Sequence, residues 1–205
     1  MKGNLIIISS PSGGGKGTLI KEVLKIVPDI GYSVSYTTRE MRAGEANGVN
    51  YFFVSRAEFE NLANQGAFLE SAEVHGNFYG TSVKQIAAEA RAGRDIILEI
   101  DVQGAQSVRE KVPEAVSIFI LPPSFQILRE RLTRRATEKE KDLILRLKNS
   151  FGEVQRFTEF EYAVVNDDVA RATNDLQTII LAERLKQIRQ TDTIQGILDS
   201  FDTSF

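Results

Sequence analysis

The nine residues Ser10-Pro11-Ser12-Gly13-Gly14-Gly15-Lys16-Gly17-Thr18 stand between the apolar run Leu5–Ile8 and a stretch of helical periodicity. No other feature restricts the fold as tightly, because a strand that enters a glycine-rich turn and leaves it as a helix is the setting of a phosphate-binding loop. The glycines let backbone N–H groups converge on phosphate oxygens, the helix N-terminus adds the positive end of its dipole, and Lys16 can reach β- and γ-phosphates. A flexible glycine turn is the bland alternative, and a lysine set immediately before the helix speaks against it. Two positions depart from the G-x-x-x-x-G-K-[ST] pattern: Ser10 stands for the first glycine and Gly17 for the hydroxyl residue that binds magnesium. Gly17 cannot ligate a metal, whereas Thr18 can still meet a phosphate.

Around this loop the chain alternates between two periods. The short apolar runs Leu5–Ile8, Val34–Tyr36, Ile96–Ile100, Val116–Leu121 and Tyr162–Val165 are separated by longer helical stretches. That is the pattern of an α/β fold with a central parallel sheet flanked by helices. The first helix is expected to begin near Lys16 and to stop before Pro28, with Leu19, Ile20, Val23, Leu24 and Val27 on one face. Residues from Thr37 to Gly80 are rich in glycine and aromatics, and Phe125 to Phe160 is densely charged and helical; both read as subdomains projecting from the sheet. A core-packing amphipathic helix is expected over Leu176–Arg189 through Leu176, Ile179, Ile180, Leu185 and Ile188, followed by a frayed tail.

With 205 residues, one domain with mobile subdomains is expected. A net charge of −3 argues against a nucleic-acid or membrane binder, which usually carries a positive contact face, so anionic ligands must be handled locally. The absence of cysteine rules out disulfides and thiolate chemistry. No N-terminal run is long enough for a signal or a span, and a cytoplasmic protein is expected.

A second phosphate site is suggested by Arg39 and Arg42, which lie close together in a hydroxyl-rich loop, since guanidinium groups bind phosphate bidentately; a solvated loop is the alternative. The run from Thr37 to Val54 matches T-T-R-x-x-R-x-G-E-x-x-G-x-x-Y-x-F-V position for position. In this the chain resembles the guanylate kinase family. The likeness continues through Phe68-Leu69-Glu70, Gly76 to Thr81, Leu98 to Gly104, Arg131 to Thr137 and Val165-Asn166-Asp167, from Ile6 to about Leu185.

The resemblance implies a P-loop kinase that transfers the γ-phosphoryl group of ATP to GMP and dGMP with Mg2+. It would have a core (1–36, 91–124 and 156–205), a GMP-binding subdomain (37–90) and a helical lid (125–155). It implies that Ser12, Gly13, Gly14, Gly15, Lys16, Gly17, Thr18 and Asn166 bind ATP, with the metal held mainly by phosphates and water. Arg39, Arg42, Tyr51 and Tyr79 would hold the GMP phosphate, while Ser35, Glu70, Thr81 and Asp101 surround the guanine. Chemistry supports the last set: guanine presents N1–H and N2–H side by side, so one carboxylate can accept both, and adenine lacks that pair. Glu99 and Asp101, two apart at the end of an apolar strand, are expected on one sheet face at its carboxyl end, and Asp101 can serve acceptor or metal. Arg131, Arg135 and Arg146 match lid arginines that neutralise the transferring group, although a solvated helix face accounts for much of this segment. Ala136 stands where the family has glycine.

His75, the sole histidine, is not needed as a base. The second pKa of a phosphate monoester is about 6, so the GMP phosphate is already a dianionic nucleophile near neutrality. Two rivals remain. A catalytically inactive phosphopeptide-binding module of this fold would have a degraded loop, and a phosphosugar kinase would not need Ser35 and Glu70. The oligomeric state stays open, a homo-oligomer included.

Overall fold

The structure, a computed structural model, describes residues 3–74, 76–134 and 140–202. Among them, β1 (Leu5–Ser9), α1 (Lys16–Ile26), β2 (Ile30–Ser33), β3 (Tyr36–Thr37), β4 (Phe52–Phe53), α2 (Arg56–Asn64), β5 (Phe68–Val74), β6 (Asn77–Ser82) and α3 (Val83–Arg91) come first. They are followed by β7 (Asp95–Glu99), α4 (Val102–Lys111), β8 (Val116–Leu121), α5 (Phe125–Arg134), α6 (Glu140–Gln155), β9 (Tyr162–Val165), α7 (Val169–Arg184) and α8 (Thr191–Asp202).

The central sheet has the order β2-β7-β1-β8-β9 and is parallel throughout. Its middle strand is buried on both faces, and the two-residue period sorts its side chains. Ile6 and Ile8 join Leu19, Val23, Ile118, Leu176 and Ile180 under α1 and α7, while Ile7 joins Ile96, Leu98, Ala105 and Val108 under α4. From β1 the chain builds β2 and β7 on one side and β8 and β9 on the other. The carboxyl end of β1 is therefore the switch point at which ligands of open α/β sheets bind.

A second sheet has the order β4-β3-β6-β5, and none of its residues joins the aliphatic core clusters except Leu69 at the margin. Stacked rings fill it instead: Phe59 lies 4.7 Å from Phe68 and 5.5 Å from Phe78, and Tyr36 lies 4.7 Å from Phe52. Of the strand expected over Val34–Tyr36 only Tyr36 lies in a strand, β3; Val34 and Ser35 connect β2 of the central sheet to β3 of the second. Gln85 is the reason: its amide accepts from Val34 N–H (2.9 Å) and donates to Val34 C=O (2.8 Å), so a side chain replaces the ladder and the backbone changes sheets there.

Two expectations for the C-terminal part are corrected. The helix stops at Arg184, whose guanidinium is fixed to Asp95 (2.7 Å) and the Pro28 carbonyl (2.7 Å). Beyond that anchor the chain leaves the core, so Leu185 and Ile188 are 68% and 75% exposed rather than packed. The tail is also ordered, as α8, with Ile197, Leu198 and Phe201 exposed.

Candidate active site

The phosphate-binding loop leaves β1 at the switch point and ends on α1. Gly13 and Gly15 have φ of +85° and +91°, values that only glycine takes without strain. Space reinforces this at Gly15, where an added Cβ would stand 2.2 Å from Asn166 Nδ2. Asn166 is buried and donates to the Gly14 carbonyl (2.9 Å), and Arg131 reaches the Gly14 (3.4 Å) and Asn166 (2.8 Å) carbonyls. The loop is thus braced from behind by the segment after β9 and by α5. Lys16 Nζ donates to the Ile100 carbonyl (3.0 Å), with Glu99 Oε1 at 4.0 Å.

A cavity of about 310 Å³ opens over this loop. Its wall combines Ser10 to Gly17 with Ser35, Tyr51, Glu70, Tyr79, Glu99 and Asp101. Glu70, on β5, is buried and accepts from the Thr81 hydroxyl at 2.5 Å. Its other oxygen lies against α4, where a Cβ on Gly104 would come within 2.8 Å. Asp101 is not a strand residue as the two-residue spacing suggested. β7 ends at Glu99, and Asp101 is the N-cap of α4, its Oδ1 accepting from Gly104 N–H (2.8 Å). Both carboxylates still face the cavity, because the chain turns there.

Burial, with Asp101 nearby, holds the Glu70 carboxyl above the usual glutamate range despite the Thr81 hydrogen bond. The folded chain therefore binds this proton more tightly than the unfolded one. The associated stability is full below the ordinary value of 4.5 and is lost as pH rises through the raised value. Glu70→Gln, which carries no charge to bury, should consequently gain on the parent in Tm between mildly acidic and neutral pH. A Tm difference constant over that range would contradict the raised pKa.

Arg39 is presented rather than free. Its guanidinium donates to Glu45 (2.8 and 3.0 Å) and to the Glu40 carbonyl (2.6 Å), and lies over the rings of Tyr51 (5.4 Å) and Phe53 (5.6 Å). The Arg39 hydrogen bond in turn holds the Glu45 carboxyl low. Burial, with Glu99 next in effect, pushes the Tyr51 hydroxyl up to about 12, so it remains a proton donor. Arg42 is exposed, and its backbone N–H donates to Glu45 (2.8 Å). Glu45 thus fixes the loop that carries both arginines. Glu45→Gln should raise the KM for a phosphorylated acceptor by about tenfold, the worth of one charge-assisted hydrogen bond, with little change in kcat. Steady-state kinetics would show it, and an unchanged KM would leave Glu45 a surface carboxylate.

The α6 side contributes contacts that sequence reasoning did not anticipate. Glu153 accepts from Ser12 N–H (2.9 Å), and the buried Ser150 hydroxyl donates to the Ser12 carbonyl (3.3 Å). Of Arg146 only the backbone, in α6, is described; Arg135 and His75 lie outside the described residues. Thr18 is exposed beyond the cavity wall, whereas Thr81 and Asn166 lie buried behind it and act through Glu70 and Gly14. Among the described residues no three His, Cys, Asp or Glu side chains form a metal cage.

Comparison with known proteins supplies a family. The family model described as Guanylate kinase matches residues 2–183. A guanylate kinase of Neisseria meningitidis serogroup A is 52% identical over 199 residues, covering 97% of this chain and 97% of the relative. One from Carboxydothermus hydrogenoformans is 45% identical over 188 residues, covering 92% of each. The crystal structure of guanylate kinase from Anaplasma phagocytophilum superposes with a TM-score of 0.77 at 36% identity, covering 92% of this chain and 89% of that one.

Proposed function

The chain belongs to the guanylate kinase family, and we propose that the cavity over the phosphate loop seats ATP and GMP phosphate to phosphate, so that the ATP:GMP phosphotransferase reaction runs along the floor between Lys16 and Glu70. The observation that carries this reading is the continuity of the wall from the phosphate loop to a buried carboxylate. A cavity built for ATP alone would not need Glu70 at its far end.

In this reading Glu70 accepts from guanine N1–H and N2–H, held in place by Thr81 and assisted by Ser35 and Asp101. Because these groups read the base, dGMP is a substrate too. Arg39, Arg42, Tyr51 and Tyr79 fix the GMP phosphate, which near neutrality attacks without a base. On the donor side, backbone N–H groups of Gly13, Gly15, Lys16 and Gly17 receive the ATP phosphates, and Lys16 exchanges the Ile100 carbonyl for the β- and γ-oxygens. Arg131, Arg135 and Arg146 add charge from the lid, and closure of the lid keeps water from competing for the phosphoryl group. Catalysis is positioning plus charge neutralisation.

Mg2+ brought in with ATP would supply further positive charge to the transferring phosphoryl group. The donor set suits it: a magnesium bound by phosphates and water needs one or two carboxylates, and Glu99 and Asp101 border the loop. A cytoplasmic location fits ATP and GMP as substrates. Within the described residues no helix is long and apolar enough to cross a membrane.

A coupled assay of ADP release with GMP, dGMP, AMP, UMP, CMP and a phosphosugar tests the reading. Turnover with GMP and dGMP far above the rest is expected. Preference for the phosphosugar, or release of ADP indifferent to the acceptor, would contradict it.

A further inference from the structure

The peptide groups of the phosphate loop are divided between two tasks. Gly14 N–H donates to the Pro11 carbonyl (2.9 Å), and the Gly14 carbonyl accepts from Asn166 and Arg131. Ser12 is held at both of its peptide groups by α6: its N–H donates to Glu153 Oε2 (2.9 Å), and its carbonyl accepts from the Ser150 hydroxyl (3.3 Å). Ser12 and Gly14 are thus tied to the protein, which leaves the N–H groups of Gly13, Gly15, Lys16 and Gly17 for phosphate.

A carboxylate is an unexpected partner where polyphosphate has to bind. Glu153 borders the same cavity as Lys16, and a negative charge there opposes ATP unless it serves the loop. Ser150 and Glu153 are three apart and share a face of α6, so together they take the donor and the acceptor of one residue. A stand-in for phosphate would need N–H groups alone; capture of the carbonyl as well, by the buried Ser150, makes the contact a clasp. The clasp lies in the last two turns of α6. The turn that follows, Arg156–Glu159, is secured to α4 through Arg109 with Glu159 (2.9 Å) and Arg156 with Gln106 (2.8 Å). α5 supports the next loop residue, since a Cβ on Gly13 would come within 3.0 Å of Leu128 and Leu132.

We propose that Glu153, with Ser150, is a positioning residue for the phosphate donor: it fixes Ser12 so that the free N–H groups of the loop are set before ATP arrives, and it stays on Ser12 when ATP is bound. The proposal rests on the kinase reading above. Neither side chain touches the reacting atoms, and both act through the Ser12 backbone.

The test measures ATP and GMP affinities separately at equilibrium, alongside steady-state kinetics, for the parent, Glu153→Ala, Glu153→Gln and Ser150→Ala. Glu153→Ala should weaken ATP binding by about tenfold, as loss of a hydrogen bond to a charged group does, and should raise the KM for ATP to match with a much smaller change in kcat. Glu153→Gln should bring ATP affinity back to the parent level or above it, because the amide oxygen still accepts from Ser12 and no negative charge opposes the phosphates. Ser150→Ala should weaken ATP by about threefold, the worth of a neutral hydrogen bond. GMP affinity should hold in all three variants. ATP binding in Glu153→Ala at or above the parent level would make the carboxylate a competitor of phosphate and overturn the proposal. So would a Glu153→Gln variant as weak as Glu153→Ala, or a loss of GMP affinity as large as that of ATP. If the parent itself bound neither ATP nor GMP, the kinase reading would fall first, and that outcome is distinct from the others.

Discussion

Replacing Lys16 by alanine is expected to lower kcat by about 10³-fold, the scale on which one preorganised cation at a developing phosphoryl charge acts. The fold should survive. The Lys16 side chain is 16% exposed, outside the two apolar clusters, and its removal releases the Ile100 carbonyl and relieves a loose pairing with Glu99. A single lost hydrogen bond of this kind costs about 1 kcal/mol, which a melting curve would register as a small shift. Affinity for GMP should change little, because the acceptor end is built from β3, β5, β6 and the loop carrying Arg39. Steady-state kinetics with thermal unfolding separates the cases. A kcat near the parent value would remove the loop lysine from the chemistry, and a large loss of Tm would make its role structural.

The second large effect is expected at Glu70. A P-loop fold requires no carboxylate on β5, whereas guanine, with its adjacent N1–H and N2–H, does. In Glu70→Gln the amide oxygen still accepts one bond and can keep the Thr81 hydroxyl, but the NH2 confronts a guanine donor. The value of kcat/KM for GMP should then fall by roughly 10²-fold, as expected for a buried charge-assisted bond replaced by a donor–donor clash. Activity on AMP, low in the parent, should not fall with it, and ATP affinity without acceptor should be unchanged. If the variant used GMP as well as the parent does, Glu70 would not be the group that reads the base.

Why these residues are legible in the sequence, and others are not, follows from how local each signal is. The loop announced itself because its strand, turn and helix are consecutive, and β1, β8 and β9 showed through their apolar runs. The break at Val34 and Ser35 between β2 and β3 could not be read, because the amide that pairs with Val34 belongs to Gln85, 51 residues away. Glu153 and Ser150 reach Ser12 across 141 and 138 positions, and nothing in their own surroundings marks them. Asp101 carried an acidic signal whose geometry was misjudged, since alternation holds only while a strand continues and β7 ends at Glu99. Glu45 lay within the quoted motif, yet its part in presenting Arg39 needed the contact itself to be seen. At the C-terminal end a hydrophobic period suggested core packing through Leu185 and Ile188. The Arg184 anchor ends that packing first, and periodicity cannot tell an apolar face that is covered from one that is not.

Direct transfer of a phosphoryl group between two nucleotides held in one cavity is the central event. A single-turnover experiment with ATP labelled at the γ-phosphate and an excess of GMP addresses it most directly. The label should appear in GDP, in step with ADP and with almost none in free phosphate. Label released mainly as inorganic phosphate, or retained in ATP with GMP bound, would contradict it.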